Sequence, residues 1–399
     1  MQTKAIAWLL SVLSFFAVWN MSGQPSKIPE TRGYVGEVQT GTDMPVDKYG
    51  VWPTKEFITE KTPPGLGPLM ETAFALKGIP HGGPKTDGLL VLHRGKIIYE
   101  RYDEAWDADK PHYMFSVTKA VVSALVGVAI QEGKIKDVDQ KVIDFFPDAK
   151  IAAGQESKRD MTIEHLLTMN SGLPGDDDDF SDWPVWWEAN ASPGEAFDTG
   201  KAAFELPQQA APGKRHAYSS GPSMQVLACL VSRAVKKNLF AYAKEKLFKP
   251  LGMTSVTWDA APDGRNYGGF GLSMTPRDMA RFGYLYLNHG RWENKQIIPA
   301  EYVAQSAPHS KSIRGYGRLF WNFSLLPFDS SYEANGTFHQ FIGILPEFDT
   351  VIVRTGEMGW LFEWAARTMV GMGSEAFFPN GVPLEGILEA IGMENALPG

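Results

Sequence analysis

The chain contains almost no cysteine. Among its 399 residues there is a single one, Cys229, and it lies in an apolar run. A lone thiol permits neither an intrachain disulfide nor a metal cluster built from cysteines. We therefore expect Cys229 to be a buried structural thiol.

The chain also lacks an excess of positive charge. Lysine and arginine number 38 against 46 aspartates and glutamates, which gives a net charge of -8. Because nucleic-acid recognition calls for a basic face, this balance argues against a nucleic-acid partner. Length and composition are those of an ordinary globular protein with one large domain or two smaller ones.

Long apolar runs are scarce as well. One lies near the amino terminus, at 5–19 behind Lys4, and no later segment has the length and apolarity of a membrane span. The run has the length of a signal peptide and is too short to span a membrane comfortably. We expect residues 1–23 to export the protein, making it periplasmic or secreted. Whether the segment is cleaved or retained as an anchor is left open.

The chemistry of the chain centres on the segment 115–132. Ser116 and Lys119 stand three residues apart at the head of an apolar stretch, and Gly133 follows it. This pattern predicts a buried helix that Gly133 ends, with Ser116 and Lys119 one turn apart on the same face. A serine hydroxyl needs a base to become a nucleophile, and a desolvated lysine can supply one.

A non-catalytic interpretation of this pair is also open. Ser116 could cap the helix, and Lys119 could be a surface lysine with its stem along the apolar face. Roughly one chance Ser-x-x-Lys match is expected in a chain of this length. No other match occurs in the sequence.

Apolar periodicity and turn residues predict the elements around this segment. In chain order they are a short helix at 69–76, strands at 89–92 and 97–99, helices at 162–167, 220–235, 240–247 and 275–287, paired strands at 338–345 and 351–354, and a helix at 384–391. The four aspartates at 176–179 favour a solvated charge run over a metal site, because consecutive loop side chains diverge. Trp183, Trp186 and Trp187 line a pocket or pack the loop.

Several motifs in order resemble a known family. They are, in chain order, Ser-Val-Thr-Lys at 116–119, Leu-Leu-Thr-Met-Asn-Ser-Gly-Leu at 166–173, Tyr-Ser-Ser at 218–220, Leu-Phe-Lys-Pro-Leu-Gly-Met at 247–253 and Gly-Tyr-Gly at 315–317. From about residue 85 to 370 the chain resembles the serine β-lactamase-related hydrolases. That family includes class C β-lactamases, related esterases, D-aminopeptidases and 6-aminohexanoate-oligomer hydrolases.

The resemblance implies an α+β fold of the β-lactamase/transpeptidase type. An antiparallel sheet flanked by helices would carry an inserted, mostly helical subdomain at about 126–265. The domain plan is a signal peptide at 1–23, an arm at 24–84 and a hydrolase domain at 85–399. The active site would lie in the cleft between sheet and subdomain.

The resemblance also implies catalytic roles. Ser116 would be the acyl-accepting nucleophile, and Lys119 would draw off or relay its proton. Tyr218 would act as general acid and base between serine, leaving group and water. Ser220 would help to line the site.

The family's third motif, Lys/His-Thr/Ser-Gly, departs from its pattern here. The best match is 334–337, which we expect to head the strand that reaches Pro346. A second match, Arg354-Thr355-Gly356, falls one strand too late. Gly336 would let the backbone approach substrate, and the N–H groups of Thr337 and Ser116 would form the oxyanion hole. His339 would touch substrate or face the core.

Together these features predict an exported serine hydrolase that cleaves a small-molecule ester or amide. No metal or organic cofactor is indicated, the oligomeric state is left open, and a membrane partner would require retention of the signal as an anchor. One alternative is a penicillin-binding D-Ala-D-Ala carboxypeptidase or a β-lactamase. Another is a non-catalytic sensor or scaffold of the same fold.

Overall fold

The computed structural model describes residues 39–40, 85–176, 178, 197–307, 315–322 and 331–357. They belong to one compact unit, Glu37–Gly399. Four sequence predictions lie outside the described residues: the signal segment at 1–23, the helices at 69–76 and 384–391, and the tryptophans at 183, 186 and 187.

An antiparallel sheet forms the frame of the described chain. Its six strands run in the order β3-β2-β12-β11-β10-β9. Their bounds are β2 Lys85–His93, β3 Lys96–Tyr102, β9 Trp321–Asn322, β10 Tyr332–Gly336, β11 Gln340–Leu345 and β12 Thr350–Glu357. The sheet therefore pairs strands from 85–102 with strands from 321–357. The hairpin of β2 and β3 turns at Arg94 and Gly95, both with positive φ, as a two-residue hairpin requires.

Seven α-helices lie in the described residues. They are α1 Val117–Gln131, α2 Ile163–Leu167, α3 Thr199–Glu205, α4 Pro222–Val235, α5 Leu239–Ala243, α6 Pro276–Leu287 and α7 Ala300–Ser306. Their starts follow local capping: Thr162 and Thr275 accept hydrogen bonds from the backbone three residues on, which satisfies donors that the first turn leaves unpaired. The helices predicted at 162–167, 220–235 and 275–287 are present in the structure as α2, α4 and α6.

Helix α1 occupies the centre of the fold. Every residue from Val117 to Ala129 is buried, because small and branched apolar side chains cover the helix on all sides. Gly127 allows Ile298 and Tyr302 to pack directly against the helix backbone. Gly133, with φ of 66°, follows the helix end as predicted.

The inner face of the sheet packs on α6. At Gly283 the helix backbone meets Val351 of β12 and Ile342 of β11. Since side chains alternate across a strand, Val351 and Val353 face the helices while Arg354 faces away.

Two smaller sheets complete the described strands. One has the order β1-β5-β6-β4 and the other pairs β7 with β8. Their bounds are β1 Gln39–Thr40, β4 His112–Tyr113, β5 Thr257–Trp258, β6 Leu272–Met274, β7 Arg291–Trp292 and β8 Lys295–Gln296. Strand β4 leads straight into Ser116. In the described part of the chain, no helix is both long and apolar enough to cross a membrane.

The strand predicted at 338–345 begins later than expected. Thr337–His339 forms a short 3-10 turn, and β11 starts at Gln340. Gly336 pairs with Gln340 across this turn, so β10 and β11 form a tight hairpin. Phe338 sits at φ 61°, which closes the turn and cannot be part of an extended strand.

Candidate active site

Ser116 and Lys119 are in direct contact. The Nζ of Lys119 donates a hydrogen bond of 2.7 Å to the Oγ of Ser116. Ser116 precedes the first residue of α1, but its side chain makes no capping bond. Lys119 is 1% exposed, so the interpretation of this pair as a helix cap and a surface lysine is wrong.

Lys119 has two further neighbours. Its Nζ donates to the backbone oxygen of Gly269 at 3.0 Å, and it lies 4.8 Å from the centroid of the Tyr218 ring. An ammonium has three N–H groups. Two reach oxygens here, and the third side of the group faces an aromatic ring, which stabilises a cation.

The carbonyl of Gly269 reaches Lys119 only because residue 269 has no side chain. A Cβ there would lie 1.9 Å from the backbone oxygen of Ser220, and one at Gly268 would lie 2.0 Å from that of Met224. Sequence reasoning missed this partner of the lysine. The signal was the Gly-Gly pair itself, because adjacent glycines often mark a close backbone approach.

Tyr218 lies at the edge of an aromatic cluster. Its ring stacks on Trp321, with centroids 5.6 Å apart, and lies 6.1 Å from the centroid of Tyr316. Tyr316 and Trp321 meet edge to face at 4.5 Å. Burial, followed by the neighbouring Tyr218 and Asp176, raises the pKa of Tyr316 well above its ordinary value. The phenol of Tyr316 therefore stays protonated at neutral pH.

Ser220 is bound to a residue that the sequence did not single out for the site. Asp176 accepts from the backbone N–H and from the hydroxyl of Ser220, each at 2.7 Å. The backbone N–H of Asp176 donates to the backbone carbonyl oxygen of Tyr218 at 2.7 Å. Three hydrogen bonds thus join Asp176 to the Tyr218–Ser220 segment.

The interpretation of the aspartate run as a solvated charge run is wrong for two of its members. Asp176 binds Ser220, and Asp178 forms a two-pronged pair with Arg215 at 2.7 and 2.8 Å. The hydrogen bond from Arg215 lowers the pKa of Asp178. In the described part of the chain, no three His, Cys, Asp or Glu side chains gather as a metal site would require.

The third-motif segment 334–337 lies beside Ser116. A Cβ on Gly336 would come within 2.4 Å of the oxygen of Met114 and 3.2 Å of the nitrogen of Ser116. Glycine is therefore required for the end of β10 to reach the nucleophile turn. The segment ends β10 and opens the hairpin turn, so the prediction that it heads the strand reaching Pro346 is wrong.

The remaining predicted residues divide between this turn and a second segment. Thr337 is exposed at the turn. The backbone of His339 belongs to the same turn, and its side chain is outside the described residues. Arg354 lies on β12, is 2% exposed and donates to Thr86 at 3.2 Å. The structure thus brings 334–337, and not 354–356, against Ser116.

The fold and this site define a class of protein: an α+β fold of the serine-hydrolase type, with a serine and a lysine at the head of its central helix. The chain belongs to the beta-lactamase family, because the model of that family matches residues 82–355. This finding confirms the family that the sequence motifs indicated.

Curated relatives cover part of the chain. A 6-aminohexanoate-dimer hydrolase of Paenarthrobacter ureafaciens is 26% identical over 226 residues, which are 55% of this chain and 56% of that protein. A beta-lactamase-like protein 2 of Dictyostelium discoideum is 24% identical over 216 residues, 50% of this chain and 37% of that protein. The chain therefore spans about half, or less, of the length of these relatives.

Solved structures share the fold over a longer span. A candidate 6-aminohexanoate-dimer hydrolase of Bacillus anthracis superposes with a TM-score of 0.63 at 19% identity, covering 90% of each chain. A family VIII carboxylesterase gives a TM-score of 0.57 at 16% identity, covering 75% of this chain and 94% of the other. At these identities the likeness establishes the fold, and the predicted β-lactamase/transpeptidase-like fold is confirmed.

Proposed function

We propose that the protein is an exported serine hydrolase that cleaves an ester or amide bond through an acyl-enzyme on Ser116. One observation carries the proposal: the 2.7 Å hydrogen bond between the buried Lys119 and the part-buried Ser116 at the start of α1. Membership of a family with esterase and amidase homologues supports hydrolysis as the reaction.

Acylation begins with loss of the Ser116 proton. In the resting arrangement Lys119 donates to Ser116, which orients the hydroxyl oxygen. For attack, Lys119 must first give up a proton, so that its neutral Nζ can accept the proton of Ser116. Tyr218, whose ring centroid lies 4.8 Å from that Nζ, would then carry a proton from Lys119 to the leaving group. The Ser116 oxygen then bonds to the substrate carbonyl carbon, and the carbonyl oxygen gains the negative charge.

Backbone N–H groups would stabilise that charge. Gly336 brings the hairpin turn against the nitrogen of Ser116, so the N–H groups of Ser116 and Thr337 lie in neighbouring turns. Preorganised donors of this kind contribute about 10²–10³ in kcat. When the tetrahedral centre collapses, the leaving oxygen or nitrogen takes the proton that Ser116 gave up, and Tyr218 is the group proposed to deliver it.

Water completes the reaction. Tyr218 would take one proton from water as the water oxygen bonds to the acyl carbon, the bond between that carbon and the Ser116 oxygen would break, and the proton would return to that oxygen. The released carboxylic acid would then lose its own proton to solvent. No step calls for a metal or an organic cofactor.

Substrate preference follows from the third motif. Ala334 occupies the place where β-lactam-binding relatives carry a cation, and Asn335 donates its amide to Glu333 at 3.2 Å. Since a charge-assisted hydrogen bond is about twice as strong as a neutral one, carboxylate recognition should be weak. We therefore favour small esters or amides over penicillins and cephalosporins, which would place the penicillin-binding alternative second.

Turnover separates the hydrolase from the scaffold alternative. We expect the wild-type protein to release p-nitrophenol from short-chain p-nitrophenyl esters, or amine from small amides. Ser116→Ala should lower kcat by several powers of ten while leaving the thermal midpoint nearly unchanged. A wild-type rate no faster than that of Ser116→Ala across esters, D-amino-acid amides, nylon oligomers and nitrocefin would favour the scaffold.

Export rests on the amino-terminal segment alone. The charged Lys4 and the apolar run 5–19 have the order of a secretory signal. Fractionation should find the protein in the periplasm or outside the cell. Recovery from the cytoplasm with Met1 intact would reject this part of the proposal.

A further inference from the structure

Two phenylalanines with left-handed backbone flank the proposed oxyanion hole. Phe115, directly before Ser116, has a φ of 47°, and Phe338, directly after Thr337, has a φ of 61°. Positive φ is uncommon for a bulky residue without special support. Both positions adjoin a backbone N–H that the proposed reaction uses.

The two rings touch each other. Phe115 and Phe338 meet edge to face, with centroids 5.3 Å apart and an interplanar angle of 82°. Tyr113 also meets Phe115 edge to face, with centroids 4.7 Å apart and an interplanar angle of 77°. A row of three rings thus runs from strand β4 to the tip of the β10–β11 hairpin.

The backbones beneath the rings are in contact as well. A Cβ at Gly336 would lie 3.3 Å from the Cβ of Phe115 and 3.2 Å from the nitrogen of Ser116. The nucleophile turn is itself tied down, because Met114 donates to Leu272 of β6 at 2.7 Å. On the β12 side the hairpin is held by Gln340, whose side chain donates to the backbone oxygen of Gly356 at 2.7 Å. On the side of the nucleophile turn, the Phe338 ring contacts Phe115.

We propose that Phe115 and Phe338 form an aromatic clamp that fixes the distance between the two oxyanion N–H donors. The clamp is a positioning device, and its role rests on the proposed function. Edge-to-face pairs have a preferred geometry, so the contact sets how the turn carrying Thr337 sits against Ser116. An error of about 1 Å in such an arrangement costs about 10²-fold in rate.

A competing role for the rings is as a wall of the acyl pocket, since both are half-exposed. The two roles differ in what they change. A wall affects KM, and its effect grows with the length of the acyl chain. A clamp affects kcat equally for short and long acyl chains, because it acts on the shared carbonyl oxygen.

The decisive variant is Phe338→Gly. Glycine adopts positive φ without strain, so this change suits the backbone while removing the ring. We expect kcat to fall at least about tenfold for both p-nitrophenyl acetate and p-nitrophenyl butyrate, with KM changing less than about threefold. Phe338→Tyr keeps the ring edge and should retain most of the wild-type kcat.

A matched control comes from the same hairpin. Phe341 is half-exposed on β11, and because Ile342 faces α6, Phe341 lies on the opposite face of the sheet. Phe341→Ala should leave kcat within about twofold of wild type. The double variant Phe115→Ala with Phe338→Ala should be little worse than the more severe single one, because the two rings act as one unit.

The outcomes separate clearly. A Phe338→Gly enzyme with wild-type kcat, or with a KM effect that grows from acetate to butyrate, would overturn the clamp while leaving the hydrolase intact. Loss of kcat in Phe341→Ala equal to that in Phe338→Gly would show general damage to the hairpin and would also overturn it. A wild-type protein without turnover would reject the proposed function and the clamp with it.

Discussion

Asp176 accepts two hydrogen bonds from Ser220, one from its backbone N–H and one from its hydroxyl, each 2.7 Å long. The hydroxyl of Ser220 therefore points its proton at a carboxylate and not at a substrate. Through these two bonds the loop that carries Asp176 holds the segment that carries Tyr218.

Removal of this carboxylate should affect catalysis. We expect Asp176→Ala to lower kcat by about tenfold, because the Tyr218–Ser220 segment loses two of the three bonds that join it to Asp176. Asp176→Asn keeps one acceptor oxygen, and its kcat should lie between those of the wild type and Asp176→Ala. Steady-state kinetics on a p-nitrophenyl ester and a thermal midpoint measure the two effects.

Asp178→Ala provides the matched control. Asp178 lies on the same loop, and its removal takes away the ion pair with Arg215 and the hydrogen bond from the backbone N–H of Gly175. A partly exposed ion pair contributes about 0–1 kcal/mol to stability. The variant should keep its kcat within about twofold. Equal losses of kcat in Asp176→Ala and Asp178→Ala would mean that the loop as a whole, and not Asp176, supports the site.

The lysine and the tyrosine should act as one unit. Lys119 contacts Ser116 through a hydrogen bond and Tyr218 through its ring. Lys119→Ala and Tyr218→Phe should each reduce kcat by several powers of ten, with the double variant little worse than either. Effects that add in free energy would place one of the two residues outside the proton path.

Substrate choice tests the absence of a cation at Ala334. The ratio of kcat/KM for nitrocefin to that for p-nitrophenyl butyrate should lie well below one in the wild type. Ala334 is 2% exposed, so the thermal midpoint of Ala334→Lys is measured first; in the folded variant the new charge should raise the ratio, since a charged donor strengthens carboxylate binding. A wild-type ratio well above one would show that another cation binds the carboxylate of the β-lactam.

Buried Lys158 gives a prediction on pH. Its Nζ donates to the oxygen of Leu206 at 2.5 Å, and burial lowers its pKa from 10.5 to about 8. Between these values the unfolded chain binds more protons at this lysine than the folded protein does. The free energy of unfolding should therefore rise with pH across that window.

The size of this effect is bounded by the shift. A displacement of the pKa from 10.5 to about 8 corresponds to at most about 3.4 kcal/mol, at about 1.36 kcal/mol per pKa unit. Denaturant titrations between pH 7 and 10.5 would compare the wild type with Lys158→Met, in which this contribution is absent. Parallel curves for the two proteins would contradict a lowered pKa.

The sequence was sufficient for the parts of the site that lie on one element. Ser116 and Lys119 share the head of α1, so helical spacing predicted their contact. Capping threonines and Gly133 likewise located the ends of helices from neighbouring residues. The start of β11 was harder to predict from the sequence. Phe338 is apolar, which favours a strand, but in the structure it has a positive φ and belongs to the turn.

Partners from distant parts of the chain were missed for a physical reason. Every residue has a backbone carbonyl, so the sequence does not mark the one at 269 as a partner of Lys119. Glycine is necessary there only because the backbone of Ser220 lies so close. Asp176 belongs to a run of four aspartates, and such a run by itself predicts side chains exposed to solvent. Its contact with Ser220 depends on tertiary packing, which no local pattern encodes.

Covalent capture of Ser116 tests the proposed acyl-enzyme most directly. Wild-type protein treated with a fluorophosphonate would be weighed intact and then mapped by peptide mass spectrometry. We expect one adduct per chain on Ser116, none in Ser116→Ala, and much slower labelling in Lys119→Ala. Labelling of another serine, or ester turnover by Ser116→Ala within about tenfold of wild type, would contradict a covalent role for Ser116.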